Sequence, residues 1–459
     1  MRLRQSDLTH RVNADLALRF EQTGLTSFAG LELLRRYFCL IQLRRQIRRH
    51  LAAALPRTDY GVPGLVVMFL ILIITGARRL RHLGHLEGDA AVLRCCGLSQ
   101  LPTAYSAGRW LAKFDDRAID GLHDWNEHIV AEGVRACGLR RLTLDVDGSV
   151  VSTGLTVEGA RRGFNPHRRK VPSYYPITAY EANSGQLLRV QNRPGNIHDG
   201  KAAVVFLEAL VEQLRRTGLD DLRWEFRMDG AFFRAEIIER LESWQAEYAV
   251  KVPFYQWLDL TSLIAQRKRW YRVDDQVSYF ETRLEVDAWQ WSLPVIIYRK
   301  RTHRQTRKNY QLDLFDPDDG YYEYSAILSN KAVSGATLWY FMCGRGVHEK
   351  VYGELKTGFA FSTVPTHSYQ ANSAWQVFSI LAFNLMHGFQ RAVGAPTRTS
   401  NRKRRARHLY RSIQTLRFNF LNRAGIITRP NGRATMDVGT SETVRTHFQN
   451  IDQMLSKAA

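Results

Sequence analysis

The sequence is poor in cysteine, poorer in acid than in base, and without a long apolar run. Its five cysteines, Cys39, Cys95, Cys96, Cys137 and Cys343, are odd in number and scattered, with no paired metal-ligand spacing. That argues against a disulfide framework and a zinc site and fits a reducing cytosol. The longest apolar run, residues 65–74 after Pro63 and Gly64, falls well below the roughly 18 residues of a spanning helix, so it predicts a buried core helix. MRLRQSDLTHRVNADLALRF is polar and amphipathic and predicts no secretory leader. Acidic residues number 44 against 65 Lys and Arg, leaving a formal charge of +21. A surplus of that size points to a polyanionic partner, nucleic acid before any other.

What is present describes a soluble globular chain of several domains: 459 residues, 45% hydrophobic and 24% charged. Residues 1–135 read as helical. Segments such as SFAGLELLRRYFCLIQLRRQIRRHL carry apolar residues at helical spacing with a basic opposite face. Within this region, residues 97–115, GLSQLPTAYSAGRWLAKFD, read as helix, Pro-containing turn and helix, with Arg109 and Lys113 near the exposed side. A DNA-reading helix-turn-helix and an ordinary helix pair fit that pattern about equally, and the basic surplus tips the reading toward DNA.

From residue 140 the pattern turns to strands. In LTLDVDGSVV, Leu142, Leu144 and Val146 share one face, while Thr143, Asp145 and Asp147 share the other, and Gly148 ends the run. WEFRMDGAFF repeats the design, a short strand reaching Asp229 and then Gly230. Carboxylates at the carboxyl ends of buried strands are where open α/β sheets place chemistry. Either could alone be an Asp-Gly turn. Between them, YYPITAYEA and QLLRVQNR form a hairpin at Asn183-Ser184-Gly185, followed by a helix over 199–216 that Asp199 caps. After Asp229 come a helix over 234–245 and the strand AEYAVKVP.

Residues 334–361 hold a third acid. At 100° per residue, Arg345, Glu349, Tyr352 and Lys356 stack along one stripe, a carboxylate between two cations. Helix ion pairs on a solvated face give the same pattern. Glu354 points about 140° away from Glu349 and cannot share its face.

Taken together, LDVDGS with Asp147, RMDGAFF with Asp229 and RGVHEKVYGELK with Glu349 resemble the acidic triad of an insertion-sequence transposase of the DDE type. The spacing of Arg345, Glu349 and Lys356 is similar to that family's signature helix; its tyrosine, three residues before the arginine, falls here on Met342, with Tyr340 near. The resemblance runs from about residue 60 to the C-terminus. It implies a mixed α+β fold with a ribonuclease-H-like α/β catalytic core, in two parts at 136–254 and 331–395. A β-rich insertion (255–330) interrupts it and a basic region (396–459) follows; before it, the all-α region 1–135, with the basic surplus of the chain, is expected to be a DNA-binding domain. The resemblance also implies Asp147, Asp229 and Glu349 as catalytic residues holding two Mg²⁺, with Mn²⁺ able to substitute, and Arg345, Tyr352 and Lys356 as DNA contacts.

The insertion is expected to be strands throughout: WLDLTSL, QVSYFETRLEV, WQWSLPVIIYRK and YYEYSAILSN, split by the basic tract RKRTHRQTRKNY. Transposases of this type that make DNA hairpins carry such an insertion, whose aromatic residues hold an extruded base. Trp289 and Trp291 are candidates, with packing against the sheet as the alternative. In the C-terminal region, Arg402, Arg404 and Arg405 belong to a run expected to track phosphates. Tyr174, Tyr175 and His198 stand near the acids without an assigned role.

Three carboxylates holding two divalent ions would activate a water or 3′-hydroxyl and stabilise the leaving oxygen, with no covalent protein intermediate. Three readings follow: a transposase cutting element ends and joining them to target DNA; a metal-dependent nuclease or recombinase without strand transfer; a non-catalytic DNA-binding protein. The first implies double-stranded DNA as partner, a homodimer in the synaptic complex, no membrane, and a cytoplasmic, nucleoid-associated location.

Overall fold

The apolar run near residue 70 does become a core helix. The structure is a computed structural model describing residues 22–163, 165, 168, 170–197, 199–302, 321–439 and 441–458. The opening segment, His198 and the basic tract beyond residue 302 lie outside the described residues. The helices begin with α1 (Leu31–Leu40), α2 (Leu43–Leu51) and α3 (Val62–Thr75). In α3 every residue from Gly64 on is buried, and the helix stops at Gly76, whose φ of 102° only glycine adopts readily. Among the described residues no helix is long and apolar enough to cross a membrane.

Next come α4 (Ala90–Cys96), α5 (Ala104–Leu111) and α6 (Asp116–Ala136). The stretch 97–115 therefore holds one complete helix, not two, because Gly97 in the left-handed region closes α4 before it. Trp110 of α5 stacks on Phe69 of α3, centroids 5.7 Å apart, and donates to the Pro56 carbonyl at 2.8 Å, which fixes α5 to the core.

Alternation in residues 141–148 builds the central strand. In β1 (Arg141–Gly148), Leu142, Leu144 and Val146 face one way and Thr143 and Asp145 the other, and all five are fully buried. β2 (Ile177–Glu181) and β3 (Gln186–Gln191) follow antiparallel. After α7 (Asp199–Arg216), β4 (Arg223–Met228) pairs parallel with β1; after α8 (Ala235–Ser243), β5 (Glu247–Val252) pairs parallel with β4. The apolar face of β1 joins Phe206, Leu207 and Leu210 of α7 in one core.

β6 (Tyr271–Arg272), β7 (Val277–Val286), β8 (Trp291–Thr302) and β9 (Tyr321–Ser329) continue the same sheet. Among the described residues, nine strands run in the order β3-β2-β1-β4-β5-β9-β8-β7-β6. One expected strand is absent: WLDLTSL is a 3₁₀ turn at Gln256–Leu258 followed by a helix at Leu260–Ala265. A short apolar run has no period long enough to separate the two states, and Leu258, Leu260 and Ile264 bury equally well from a helix.

The last part holds α9 (Gly335–Cys343), α10 (Gly346–Gly358), α11 (Tyr369–Ala392) and α12 (Glu442–Ala458). α11 packs with α6 on the outer edge of the sheet. There Asn384 both accepts from the Leu187 amide (2.9 Å) and donates to its carbonyl (2.8 Å), and Asn126 donates to the carbonyls of Leu187 and Leu188. The β3 edge is thus satisfied by side chains instead of another strand. One apolar cluster runs from α1 through α3, α5 and α6 to α10 and α11.

Candidate active site

Asp147 is the next-to-last residue of β1 and Asp229 the first after β4. Because these strands are adjacent and parallel, both carboxylates leave the same end of the sheet. Each is fixed by one oxygen. The Gly148 amide donates to Asp147 Oδ1 and the Ala231 amide to Asp229 Oδ1, both at 3.0 Å. The other oxygens share Arg345, whose Nη2 lies 3.0 Å from Asp147 Oδ2 and 3.7 Å from Asp229 Oδ2.

Arg345 is only 7% exposed. Burial works against its charge; the carboxylates of Asp147 and Asp229, then Asp145 and Glu349, outweigh that and raise its pKa. Its Nε and Nη2 make no hydrogen bond among the described residues. Two hard oxygen ligands thus converge on one cation, the donor chemistry that suits a divalent ion, with a guanidinium standing in that place. Glu349 lies on α10, exposed, within the field of Arg345. Among the described residues no three His, Cys, Asp or Glu side chains gather closely enough to form a metal-binding group.

The stripe is interrupted. Gly344 and Arg345 separate α9 from α10, yet both keep helical dihedrals, so Glu349, Tyr352 and Lys356 hold the angular order expected of them. Tyr352, read from sequence as a DNA contact, is 5% exposed and turns under the sheet. Its hydroxyl donates to the Asp147 carbonyl (2.7 Å) and accepts from Thr178 Oγ1 (2.7 Å), and Thr178 is the register partner of Asp147 on β2. Thr178 Oγ1 also lies 2.9 Å from His348 Nε2. The His348 ring is stacked between Tyr352 and Tyr180, at 4.8 and 5.5 Å. Burial, then Arg345 and Arg227, pushes that imidazole well below its usual range, so it is neutral. Thr178 and His348 were not foreseen; the available signal was that His348 and Tyr352 stand four residues apart on one face.

Lys356 is half-buried, which lowers its pKa, and among the described residues no carboxylate pairs with it. Glu354 sits on the other side of α10, where it accepts from the Ile413 amide at 2.8 Å. Burial raises its carboxyl above the ordinary range, opposed by that amide and Arg417. Met342, where the family tyrosine would fall, is buried.

Behind Asp147, Asp145 and Arg227 form a fully buried bidentate pair, 2.6 and 2.7 Å. Arg227 also donates to the carbonyls of Phe341 (2.8 Å) and Lys403 (2.9 Å), binding β4 to α9 and to the basic run. That run lies on the sheet. Arg404 is half-buried with its Nε 3.6 Å from Glu225, Arg405 is half-buried, and Arg402 is exposed.

Trp289 packs on Phe233, centroids 4.8 Å apart, and meets Trp291 edge-on at 5.6 Å. With Tyr255 and Trp257 it lines a cavity of about 270 Å³ that Gly230, next to Asp229, also borders. Tyr174 is buried, its hydroxyl donating to the Glu158 carbonyl, and Arg193 lies over the ring of Tyr175.

Residues 9–459 match the family described as Transposase DDE domain group 1. The chain belongs to that family. It is a DNA transposase. Among solved structures, the transposase is similar to the piggyBac transposase in its synaptic complex with hairpin DNA, seen by cryo-EM. The likeness has 10% sequence identity and a TM-score of 0.44, and it covers 95% of this chain and 88% of that one. No curated protein matches the transposase sequence.

Proposed function

We propose that the transposase cuts DNA at the ends of an insertion sequence and joins them to target DNA, with Asp147, Asp229 and Glu349 as its catalytic carboxylates. The observation that carries this reading is the convergence of Asp147 and Asp229, from adjacent parallel strands, on the single cation of Arg345. The sheet order β3-β2-β1-β4-β5, antiparallel then parallel, supports a ribonuclease-H-like core around them. Asp147 and Asp229 would hold Mg²⁺ or Mn²⁺, and Glu349, exposed one turn along α10, would complete the set when DNA is bound. Such ions, when bound, make a water or 3′-hydroxyl nucleophilic and neutralise charge on the scissile phosphate.

The chain's own residues do the rest. Gly148 and Ala231 amides orient the two aspartates; Tyr352 holds the backbone at Asp147. Arg345, which now pairs with both aspartates, would contact the phosphate if divalent ions took its place between those carboxylates, because a phosphate is a bidentate acceptor suited to a guanidinium. Lys356, which no carboxylate pairs among the described residues, provides a second phosphate contact. Trp289, beside the cavity next to Asp229, is placed to receive an unstacked base. Two protomers, each holding one DNA end, would form the active complex. The test is nicking of an end-containing duplex with Mg²⁺: Asp147→Ala and Asp229→Ala should each abolish it with folding and end binding intact. A drop in thermal stability equal to that of a core substitution would make these residues structural instead.

A further inference from the structure

A cleft of about 1070 Å³ opens between α1, α2, α6 and α11, on residues that the carboxylate site does not use. Its lining holds three guanidiniums, with three imidazoles beside them. Arg45, Arg49 and His50 come from α2, His128 from α6, Arg391 from α11 and His408 from the chain beyond, with Glu132 as the one acid among the lining residues. Glu132 is already paired, 3.0 Å from Arg135 Nη1.

Among the described residues no carboxylate pairs with Arg45, Arg49 or Arg391. α2, LRRQIRRHL, contains no acid; it buries Leu43, Ile47 and Leu51 and so turns Arg45, Arg48 and Arg49 outward. Among the described residues Arg45 reaches Gln42 Oε1 alone, at 3.0 Å, and Arg391 donates to the uncharged hydroxyl of Tyr410, also at 3.0 Å. The His50 and His128 rings stack at 5.3 Å, and His50 Nε2 is buried with no hydrogen-bond partner among the described residues. The half-buried Arg391 guanidinium, which no carboxylate pairs among the described residues, and the buried His50 ring nitrogen both gain from an anion with several acceptor oxygens, and the exposed Arg45 and Arg49 stand beside them on the same cleft.

We propose that this cleft seats the phosphodiester backbone of a DNA duplex at a second site, apart from the carboxylates, with Arg45 and Arg49 as its phosphate contacts. The proposal rests on the DNA-cutting reading above, in which one protein must hold more than one stretch of duplex. The shape favours a polymer over a free nucleotide. Arg45 and Arg49 are one helical turn apart, and Arg48 carries the same positive ridge beyond the cleft, where a single nucleotide would leave it unused.

The test uses the full-length protein and a fluorescently labelled duplex of about 30 base pairs, with affinity followed between 50 and 200 mM salt without divalent ions. Removing two phosphate contacts in Arg45→Ala/Arg49→Ala should flatten the slope of log affinity against log salt by about 1.8. The loss of affinity across that range then becomes about 12-fold smaller. Arg45→Lys/Arg49→Lys, which keeps the charge, should restore the slope. Unchanged affinity and slope in the alanine pair would overturn the proposal, as would a loss that the lysine pair fails to restore. So would release of the duplex by millimolar deoxyadenosine monophosphate, which would mark a free-nucleotide site. The catalytic reading fails separately: a cleaving Asp147→Ala protein would sink that reading and leave the salt result untouched.

Discussion

At the scale of single residues, Tyr352 does the least visible work near the site. Its hydroxyl joins three groups that otherwise lack a reason to align: the Asp147 carbonyl, Thr178 Oγ1 and, through Thr178, His348. Tyr352→Phe keeps the ring stacking and removes only the hydroxyl, so the Asp147 carbonyl and Thr178 Oγ1 each lose one hydrogen bond, at a cost of about 1–3 kcal/mol for the two together. Urea unfolding should show that loss, and nicking should slow because Asp147 is less firmly held, while DNA affinity stays the same; wild-type nicking would show that the contact is not needed to position Asp147. The two aspartates were legible in the sequence because an acid before glycine at the end of an alternating run is a local signal. Tyr352 was not. Helical angles place it on the stripe of Glu349, but whether its end of the stripe meets solvent or the sheet depends on β2, about 170 residues earlier in the chain.

At the scale of elements, the join between α9 and α10 depends on contact with a distant strand. Gly344 sits against the Lys403 carbonyl and the Arg227 guanidinium, and a Cβ there would collide with both. Arg227 in turn neutralises Asp145. Replacing it by leucine should destabilise the fold by about 3–5 kcal/mol, because a carboxylate would be left buried and unpaired. Denaturant titration measures this; a change below about 1 kcal/mol would mean the pair contributes little. The strand alternation that placed Asp145 beside Asp147 was readable, and so was the basic run 402–407. That the polar face of β1 and β4 would be roofed by this same run was not, since a cluster of cations reads alike on a phosphate backbone and over Glu225.

At the scale of the whole molecule, two conditions probe the structure. A basic protein whose charge serves DNA binding should lose non-specific affinity by about 10³-fold between 50 and 200 mM salt, if some six phosphates are neutralised. A flat response would reject that use of the +21 charge. Acid should act on buried histidines. Burial holds His123 and His387 down to about 3, and His348 well below its usual range. Unfolded, each titrates near 6.5. The unfolded chain therefore takes up protons first, and stability should fall as pH drops below about 6.5, by about 1.4 kcal/mol per unit for each histidine, with no contribution from them above it. Urea midpoints at pH 7 and pH 5.5 give the comparison; equal midpoints would place the imidazoles in contact with water.

The most direct measurement is Mg²⁺-dependent cleavage of a duplex carrying the element's end, run side by side on the wild-type protein and on Asp147→Ala, Asp229→Ala, Glu349→Gln and Glu354→Gln. Glu354, tied to the Ile413 amide on the far side of α10, cannot share the face of Glu349. The expected result is loss of cleavage with DNA binding retained in the first three variants, and measurable cleavage in Glu354→Gln. Cleavage that survives in Asp147→Ala, or that disappears in Glu354→Gln while persisting in Glu349→Gln, would contradict the site.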